Sequence, residues 1–578
     1  MNKIRPIILG LAVILSGLLA HGLFTMPAPK DADAEGFSSA RVVKDIEVIS
    51  KEHHSVAHPV ERARVREYLV GRLEGLGADT VKLFEYDSLV GPKNKHVTYT
   101  FDAVNVLAEF SPTKSDDTTA TDNSTYLMFV AHYDSRYSQP MPKDTVWSYG
   151  AADDGYGVGV ILEMMSQLLQ SRQDWNQGVK VLFTDAEEVG MMGMTAMWEG
   201  NREVFDNVGL VINVEARGSF GPVLMFEACP GNEKVLNLYA DAAKYPFTYS
   251  LTTVVYQFMP NFTDFKIIKD ALPGLNFSTV ADINHYHTDL DNINNISEKS
   301  IQHYGEQILP VALAYLTSEE YADKDALRSD KDLTNFSIPA LGLISFSKIG
   351  YQIFCIVIFI VFLLSFALEG FRGRLKSMRV FKTSGFVLGS ALGVLLLGEL
   401  YAYACAAGVG AKFKLFGIVQ GIPFDNMAMA LYIVLVFAGA VLVYLNLRAK
   451  AVRATLGSMR VSAAHAATTS YAMTLLYGTL ALQFVLSAVL LFAIGENMMF
   501  FIPLALATIA LVLWRMTTLK AWIPVAIVMI LLHAFSFLYA LSMALTIGAL
   551  GAVAMIAFLD MMVLIPLGDL YIMYPKKK

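Results

Sequence analysis

Eight runs of apolar residues, each about long enough to cross a bilayer as a helix, divide this chain into parts that fold in different solvents. They lie at Ile7–Phe24 and near 350–368, 385–407, 427–446, 469–494, 497–514, 521–541 and 545–567. About 20 apolar residues in a helix span the hydrocarbon core, and lipid tolerates only elements that satisfy their own backbone groups. The last two runs share almost no loop. Between the first and second runs, residues 30 to about 345 read as an ordinary soluble domain. The average composition reflects this mixture: 17% of the residues are charged, against about a quarter in soluble domains.

Lys3 and Arg5 precede the first run, the pattern of a signal peptide or an uncleaved anchor. No clean small-x-small cleavage site precedes the polar stretch Lys30–Glu35, so an anchor is expected. Orientation follows from Lys and Arg in short loops. Arg372, Arg374, Lys376, Arg379 and Lys382 follow the second span. Arg448, Lys450, Arg453 and Arg460 follow the fourth, Arg515 and Lys520 the sixth, and Lys576 to Lys578 end the sequence. With the N-terminus inside, all of these fall on the cytoplasmic side and the soluble domain on the other. Shifting the count by one span would put several clusters outside. The expected organisation is an anchor at 1–29, an extracytoplasmic domain at 30–325, a linker at 326–348, and an all-α polytopic domain of about seven helices at 349–578.

The net charge of -7 and the lack of a basic block interleaved with aromatics exclude a nucleic-acid partner. Of three cysteines, Cys355 and Cys405 lie in apolar runs, which leaves Cys229 alone in the soluble part. No internal disulfide can form there and no CxxC pair is present, so any metal must be held by His and carboxylate.

In the soluble part, short apolar runs alternate with helical patterns. That alternation predicts an α/β domain, a mainly parallel mixed sheet flanked by helices, with ligands at the carboxyl ends of its strands. The run Tyr126–Val130 ends at His132-Tyr133-Asp134, and Val179–Phe183 ends at Asp185, Glu187 and Glu188. Val208–Ile212 leads to Glu215, and Leu272–Phe277 precedes His285-Tyr286-His287. Gly150–Gly155, with Asp153 and Asp154, opens a helix whose Val158, Ile161, Leu162, Met165, Leu168 and Leu169 follow a helical period. Singly, each piece has a bland reading: a surface pair, a solvated helix start, an N-cap, a satisfied loop histidine. Together, four strand ends and one helix start aim carboxylates and imidazoles at one edge. A dry cluster of that kind needs a cation to stay ionised, and zinc accepts both donor types.

The pieces His-x-Asp, Gly-Ala-x-Asp-Asp, Glu-Glu-x-Gly-x-x-Gly, Asn-x-Glu and Tyr-His-Thr-x-x-Asp, in this order, resemble the co-catalytic zinc aminopeptidases of peptidase family M28. The resemblance covers about residues 40 to 315, including His58-Pro59 and Thr263-Asp264-Phe265. The run Glu215–Glu227 and the multi-span tail resemble the membrane-bound branch that holds vacuolar membrane protease and endoplasmic reticulum metallopeptidase. The resemblance implies two zinc ions per chain and assigns roles by motif. Asp153 would bridge the ions, four residues before Gly157 as in the family. His132 and Glu215 would complete one site, and Glu188 and His287 the other. Glu187 would be the general base on the metal-bound water, Asp134 would orient His132, and Tyr286 would donate to the oxyanion or simply pack in its loop. Many soluble members have Asp where Glu215 stands. His285 would share a face with His287 in an extended segment, which makes it a rival ligand.

The activity implied is zinc-dependent peptide hydrolysis, with removal of N-terminal residues. One rival is a glutaminyl cyclase on the same fold, which also shows His-Tyr-Asp-Ser, here His132 to Ser135. Others are a non-catalytic receptor, in which loss of ligands would be expected, and a transporter with an accessory ectodomain. Glu399, His533 and Asp560 fall within spans, where ionisable groups are costly; they either pair with one another, line a cavity, or serve transport or gating. The single cysteine of the soluble part suggests a bacterial inner membrane with a periplasmic domain. Sequons at Asn123, Asn261, Asn276, Asn295 and Asn335 leave a eukaryotic endomembrane lumen open.

Overall fold

The computed structural model describes residues 4–24, 26–91, 100–112, 124–137, 139–140, 145–257, 262–338, 341–456 and 461–573. Lys3, Arg460, Lys576 and Lys578, and the sequon residues Asn123 and Asn261, lie outside the described residues. The chain divides into two units: Phe24–Ser337 with Gly342–Lys348, and Met1–Leu23 with Ile338–Leu341 and Ile349–Lys578.

In the first unit, strands β1 (Thr80–Val90), β2 (Thr100–Phe110) and β3 (Tyr126–His132) precede a small pair, β4 (Gln139–Pro140) with β5 (Thr145–Val146). There follow β6 (Gly178–Thr184), β7 (Val208–Ala216), β8 (Phe220–Ala228) and β9 (Gly274–Ala281). Seven of these form one sheet in the order β1-β2-β6-β3-β7-β9-β8. The four neighbours β6, β3, β7 and β9 run parallel, and the outer pairings are antiparallel. This is the mainly parallel sheet that the apolar runs predict. The reason lies in burial: every residue of β3, β6, β7 and β9 is buried, as expected of strands covered on both faces. The edge strand β1 alternates between exposed and half-buried positions.

The helices of this unit are numbered after the N-terminal helix α1 (Ile4–Phe24) of the other. They are α2 (Ser39–Ile49), α3 (Pro59–Gly75), α4 (Gly155–Leu168), α5 (Met192–Gly200), α6 (Glu233–Ala242), α7 (Ser250–Gln257), α8 (Phe265–Ile268) and α9 (Glu298–Thr317). Helix α4 packs on β3 and β7 and is itself covered by α2 and α9. Val158, Ile161, Leu162, Met165 and Leu168 are all buried, so the helical period read in the sequence marks a core helix. Within the stretch expected as a linker, β10 (Leu333–Ile338) and β11 (Gly342–Ser347) pair with each other. Phe336 also bridges Tyr249 at the start of α7, so part of that stretch is packed structure.

The second unit is helical: α1, then α10 (Lys348–Phe371), α11 (Ser377–Val409), α12 (Asp425–Leu456), α13 (Val461–Ile494), α14 (Met498–Thr517), α15 (Trp522–Leu545) and α16 (Leu550–Met573). Among the described residues, 8 helices are long and apolar enough to cross a membrane. The span ending the chain is 78% buried inside the protein, against 17% for that of α11, which makes α16 the central helix of the bundle. Close approach explains one contact. A Cβ on Gly551 would stand 2.2 Å from the Leu395 carbonyl, so glycine lets α11 and α16 touch backbone to backbone. Glu399 accepts the Gly551 amide at 3.0 Å, and Asp560 lies 3.5 Å from the Gln483 amide. Those partners are main-chain and amide groups; pairing among Glu399, His533 and Asp560 was one of the readings that the sequence left open.

Candidate active site

Four neighbouring parallel strands end on one edge of the sheet, and the side chains singled out in the sequence stand there. His132 is the last residue of β3, Glu215 lies near the end of β7, Glu187 and Glu188 follow β6, and Tyr286 and His287 follow β9. Asp153 arrives from the start of α4, next to the cap of that helix. Asp154 is the cap; its Oδ1 accepts the Gly157 amide at 2.9 Å. A Cβ at Gly157 would stand 2.3 Å from the Asp154 carboxylate and 2.5 Å from the Val214 carbonyl. Glycine at that position therefore lets the capped turn, with Asp153 on it, sit directly against β7.

Asp153 stands between two groups of donors. Its Oδ1 is 3.3 Å from His132 Nε2, which is 3.6 Å from Glu215 Oε2. Its Oδ2 is 3.3 Å from His287 Nε2, which is 3.1 Å from Glu188 Oε2. In each trio, His132–Asp153–Glu215 and Asp153–Glu188–His287, one donor atom per residue lies within 4.8 Å of the other two. Except for His287, which is partly exposed, these residues are buried, and Asp153 Oδ2 and Glu188 Oε1 accept no hydrogen bond. Buried carboxylate oxygens without donors are costly, and a cation between them removes that cost.

The local electrostatics follow from this crowding. Burial raises the Glu187 carboxyl well above the ordinary range, with His132 opposing and Glu215 and Glu188 adding to the rise. Burial also works against the charged form of Glu188, yet His287 and Arg136 hold that carboxyl below its usual range. Burial would lower His132, but Asp134, Asp153 and Glu215 together raise it well above the usual imidazole value.

Three further side chains fasten the set. Asp134 accepts the Glu187 amide on Oδ1 at 2.9 Å and the Glu188 amide on Oδ2 at 3.3 Å. Its carbonyl is 2.9 Å from His132 Nδ1, closer than its carboxylate at 3.5 Å. One residue thus orients His132 mainly through its main chain and shapes the Glu187–Glu188 turn through its side chain. Asp291 accepts the Ala152 amide at 2.7 Å, the Asp153 amide at 3.3 Å and the Ser148 hydroxyl at 3.0 Å, tying down the loop that presents Asp153. Burial, with Asp153 nearby, pushes its carboxyl up to about 7. Arg136 donates to the Glu188 carbonyl at 2.6 Å and to its Oε2 at 3.2 Å. Asp291 had a signal in the sequence, as the last letter of Tyr-His-Thr-x-x-Asp. Arg136 had none.

Tyr286 stacks on His287 with ring centroids 3.6 Å apart. Burial, and then the charges of Asp153, Glu188 and Glu187, raise its hydroxyl well above the usual phenol value, so it stays protonated. His285 belongs to neither trio; its Nδ1 is 2.6 Å from the Ser219 hydroxyl. The expectation that it would share a face with His287 assumed an extended segment. Residues 283–292 instead form successive turns, and His287 takes a left-handed φ of 60°.

Residues 105–312 match the model of peptidase family M28. Mouse endoplasmic reticulum metallopeptidase 1 is 26% identical over 322 residues, 54% of this chain and 33% of that protein. The human protein of that name is 30% identical over 229 residues, 38% of this chain and 24% of that protein. Vacuolar membrane protease of Lodderomyces elongisporus is 26% identical over 45% of this chain and 26% of its own length. The chain therefore spans about a third or less of these relatives. Among solved structures, glutaminyl cyclase of Bacteroides thetaiotaomicron aligns at 17% identity over 49% of this chain and 99% of that one, with a TM-score of 0.38. A zinc aminopeptidase of Bacillus subtilis aligns at 12% identity over 51% of this chain and 99% of that one, also with a TM-score of 0.38.

Proposed function

We propose that this chain, whose residues 105–312 match the model of peptidase family M28, is a membrane-held di-zinc peptidase that removes N-terminal residues from peptides outside the cytoplasm. The observation that carries the two-metal part is Asp153, with one carboxylate oxygen turned to each trio at 3.3 Å. The donor set fits zinc, with imidazoles and carboxylates and no thiolate. His132, Asp153 and Glu215 would hold one ion, and Asp153, Glu188 and His287 the other. When bound, such a pair lowers the pKa of a water and stabilises charge on the attacked carbonyl.

The chain's own groups do the rest. Glu187 stands beside both trios without belonging to either, placed to take the proton of the attacking water and return it to the leaving amine. Its main chain is pinned by Asp134, so the turn that presents the carboxylate is fixed before substrate arrives. Tyr286, protonated, donates to the carbonyl oxygen as it becomes negative. Asp291 and Arg136 keep Asp153 and Glu188 in place, as groups behind metal ligands commonly do.

The aminopeptidase part rests on the motif resemblance, and its test is the product formed from short peptides that differ only at the N-terminus. Free N-termini should release single residues, acetylated ones should resist, and a glutamine terminus should be cleaved without losing ammonia. Internal cleavage of acetylated peptides would make this an endopeptidase with the same metal chemistry, and ammonia release alone would make it a cyclase. The orientation rests on the Lys and Arg clusters that follow the second, fourth and sixth spans. Reporter fusions after Pro142 should behave as extracytoplasmic and fusions at Arg374 as cytoplasmic; a cytoplasmic signal at Pro142 would reverse the topology.

A further inference from the structure

Where α10 and α14 end, the structure gathers cations around one buried acid. Glu369, 1% exposed, lies in the last turn of α10. Arg515, in the last turn of α14, places Nη1 2.7 Å from its Oε1. Arg372 Nη1 is 3.4 Å from Oε1, and Arg374 Nη1 is 3.4 Å from Oε2. One carboxylate against three guanidiniums leaves a surplus of two positive charges. Arg515 Nε is buried and has no hydrogen-bond acceptor. Arg372 and Arg374 are half exposed, at 51% and 45%, so both side chains remain accessible to a ligand.

We propose that Arg372 and Arg374, beside the Glu369 that Arg515 holds in place, form a binding site for the phosphate of an anionic phospholipid. Guanidinium forks match phosphate oxygens in pairs, and basic clusters at the ends of spanning helices are where acidic headgroups lie. What favours a lipid over free phosphate is the surface next to the charge. Phe371 is 90% exposed, Met516 76% and Leu519 58%, each within four residues of Arg372 or Arg515. A lipid covers both surfaces at once: its phosphate meets the arginines and its chains meet these apolar side chains. Glu369 joins the ends of α10 and α14 through Arg515 and stays paired when the other two arginines turn to the phosphate. The site belongs to the helical unit and uses none of the residues proposed for peptide hydrolysis.

The test is native mass spectrometry of the full chain in detergent, with phosphatidylglycerol, phosphatidylcholine or inorganic phosphate added. The wild type should retain phosphatidylglycerol at least about tenfold better than phosphatidylcholine. Arg372→Gln with Arg374→Gln should lose that preference, since each cation near a membrane surface contributes about fivefold. Lys382→Gln removes one exposed cation that is not among the Glu369 ion pairs, and it should weaken retention clearly less than the loss of either arginine. Thermal unfolding without lipid controls for folding; should the double variant unfold early, Arg374→Gln alone should still weaken retention about fivefold. Equal retention of the two lipids, equal loss in Lys382→Gln, or displacement of the lipid by millimolar inorganic phosphate would each overturn the proposal.

Discussion

Asp153→Ala is expected to lower peptide turnover on the order of 10⁴-fold, the scale seen when one member of a cooperating catalytic set is removed. The size follows from geometry. Every other proposed ligand serves one trio, but Asp153 sends Oδ1 toward His132 and Oδ2 toward His287, both at 3.3 Å. Its loss leaves two ligands in each trio and takes away the anion that offsets the repulsion between two cations. Glu215→Ala, by contrast, should weaken one position and spare the other. Folding should survive the Asp153 change. Helix α4 is capped by Asp154, not Asp153, and Asp291 holds the loop through main-chain amides that alanine retains. Steady-state kinetics beside a thermal melt make the check. A variant that melts like the wild type and turns over within tenfold of it would remove Asp153 from the centre of the mechanism.

Glu187→Gln should reduce kcat by about 10²–10⁴-fold, the usual contribution of a positioned acid–base group, with KM and zinc content nearly unchanged. Glutamine keeps the shape and the main-chain bond to Asp134, but it cannot accept a proton. Glu187 is absent from both trios, so metal should stay bound. This separates it from its neighbour Glu188, whose replacement should cost metal as well as rate. Loss of zinc in Glu187→Gln, or a kcat within a few-fold of wild type, would assign the proton transfer to another group.

Much of the site was legible in the sequence because parallel strands announce themselves as continuous apolar runs, and the residue that follows such a run lies at the sheet's carboxyl edge. His132, Glu188 and Glu215 each stand at or just beyond the end of a fully buried strand. The long apolar helices were equally legible, since length and apolarity can be counted directly in the sequence. What the sequence could not show depends on contacts between distant segments. Arg136 pairs with Glu188 across 52 residues, and no spacing rule marks an arginine for that. Asp291 reaches back 138 residues to the Asp153 amide; its motif was visible, but its role was not. His285 resembled a rival to His287 because two residues of separation imply a shared face in a strand, but the chain there turns repeatedly. The pair β10–β11 was hidden for a related reason. Its strands are short, and Phe336 makes its β-bridge to Tyr249, 87 residues earlier.

The most direct measurement of the central claim is the zinc content of the purified full chain, by elemental analysis after dialysis against metal-free buffer. Two ions per chain are predicted for the wild type, close to one for Glu215→Ala, and well under one for Asp153→Ala. One ion per chain in the wild type, or two retained in Asp153→Ala, would contradict a site bridged by Asp153.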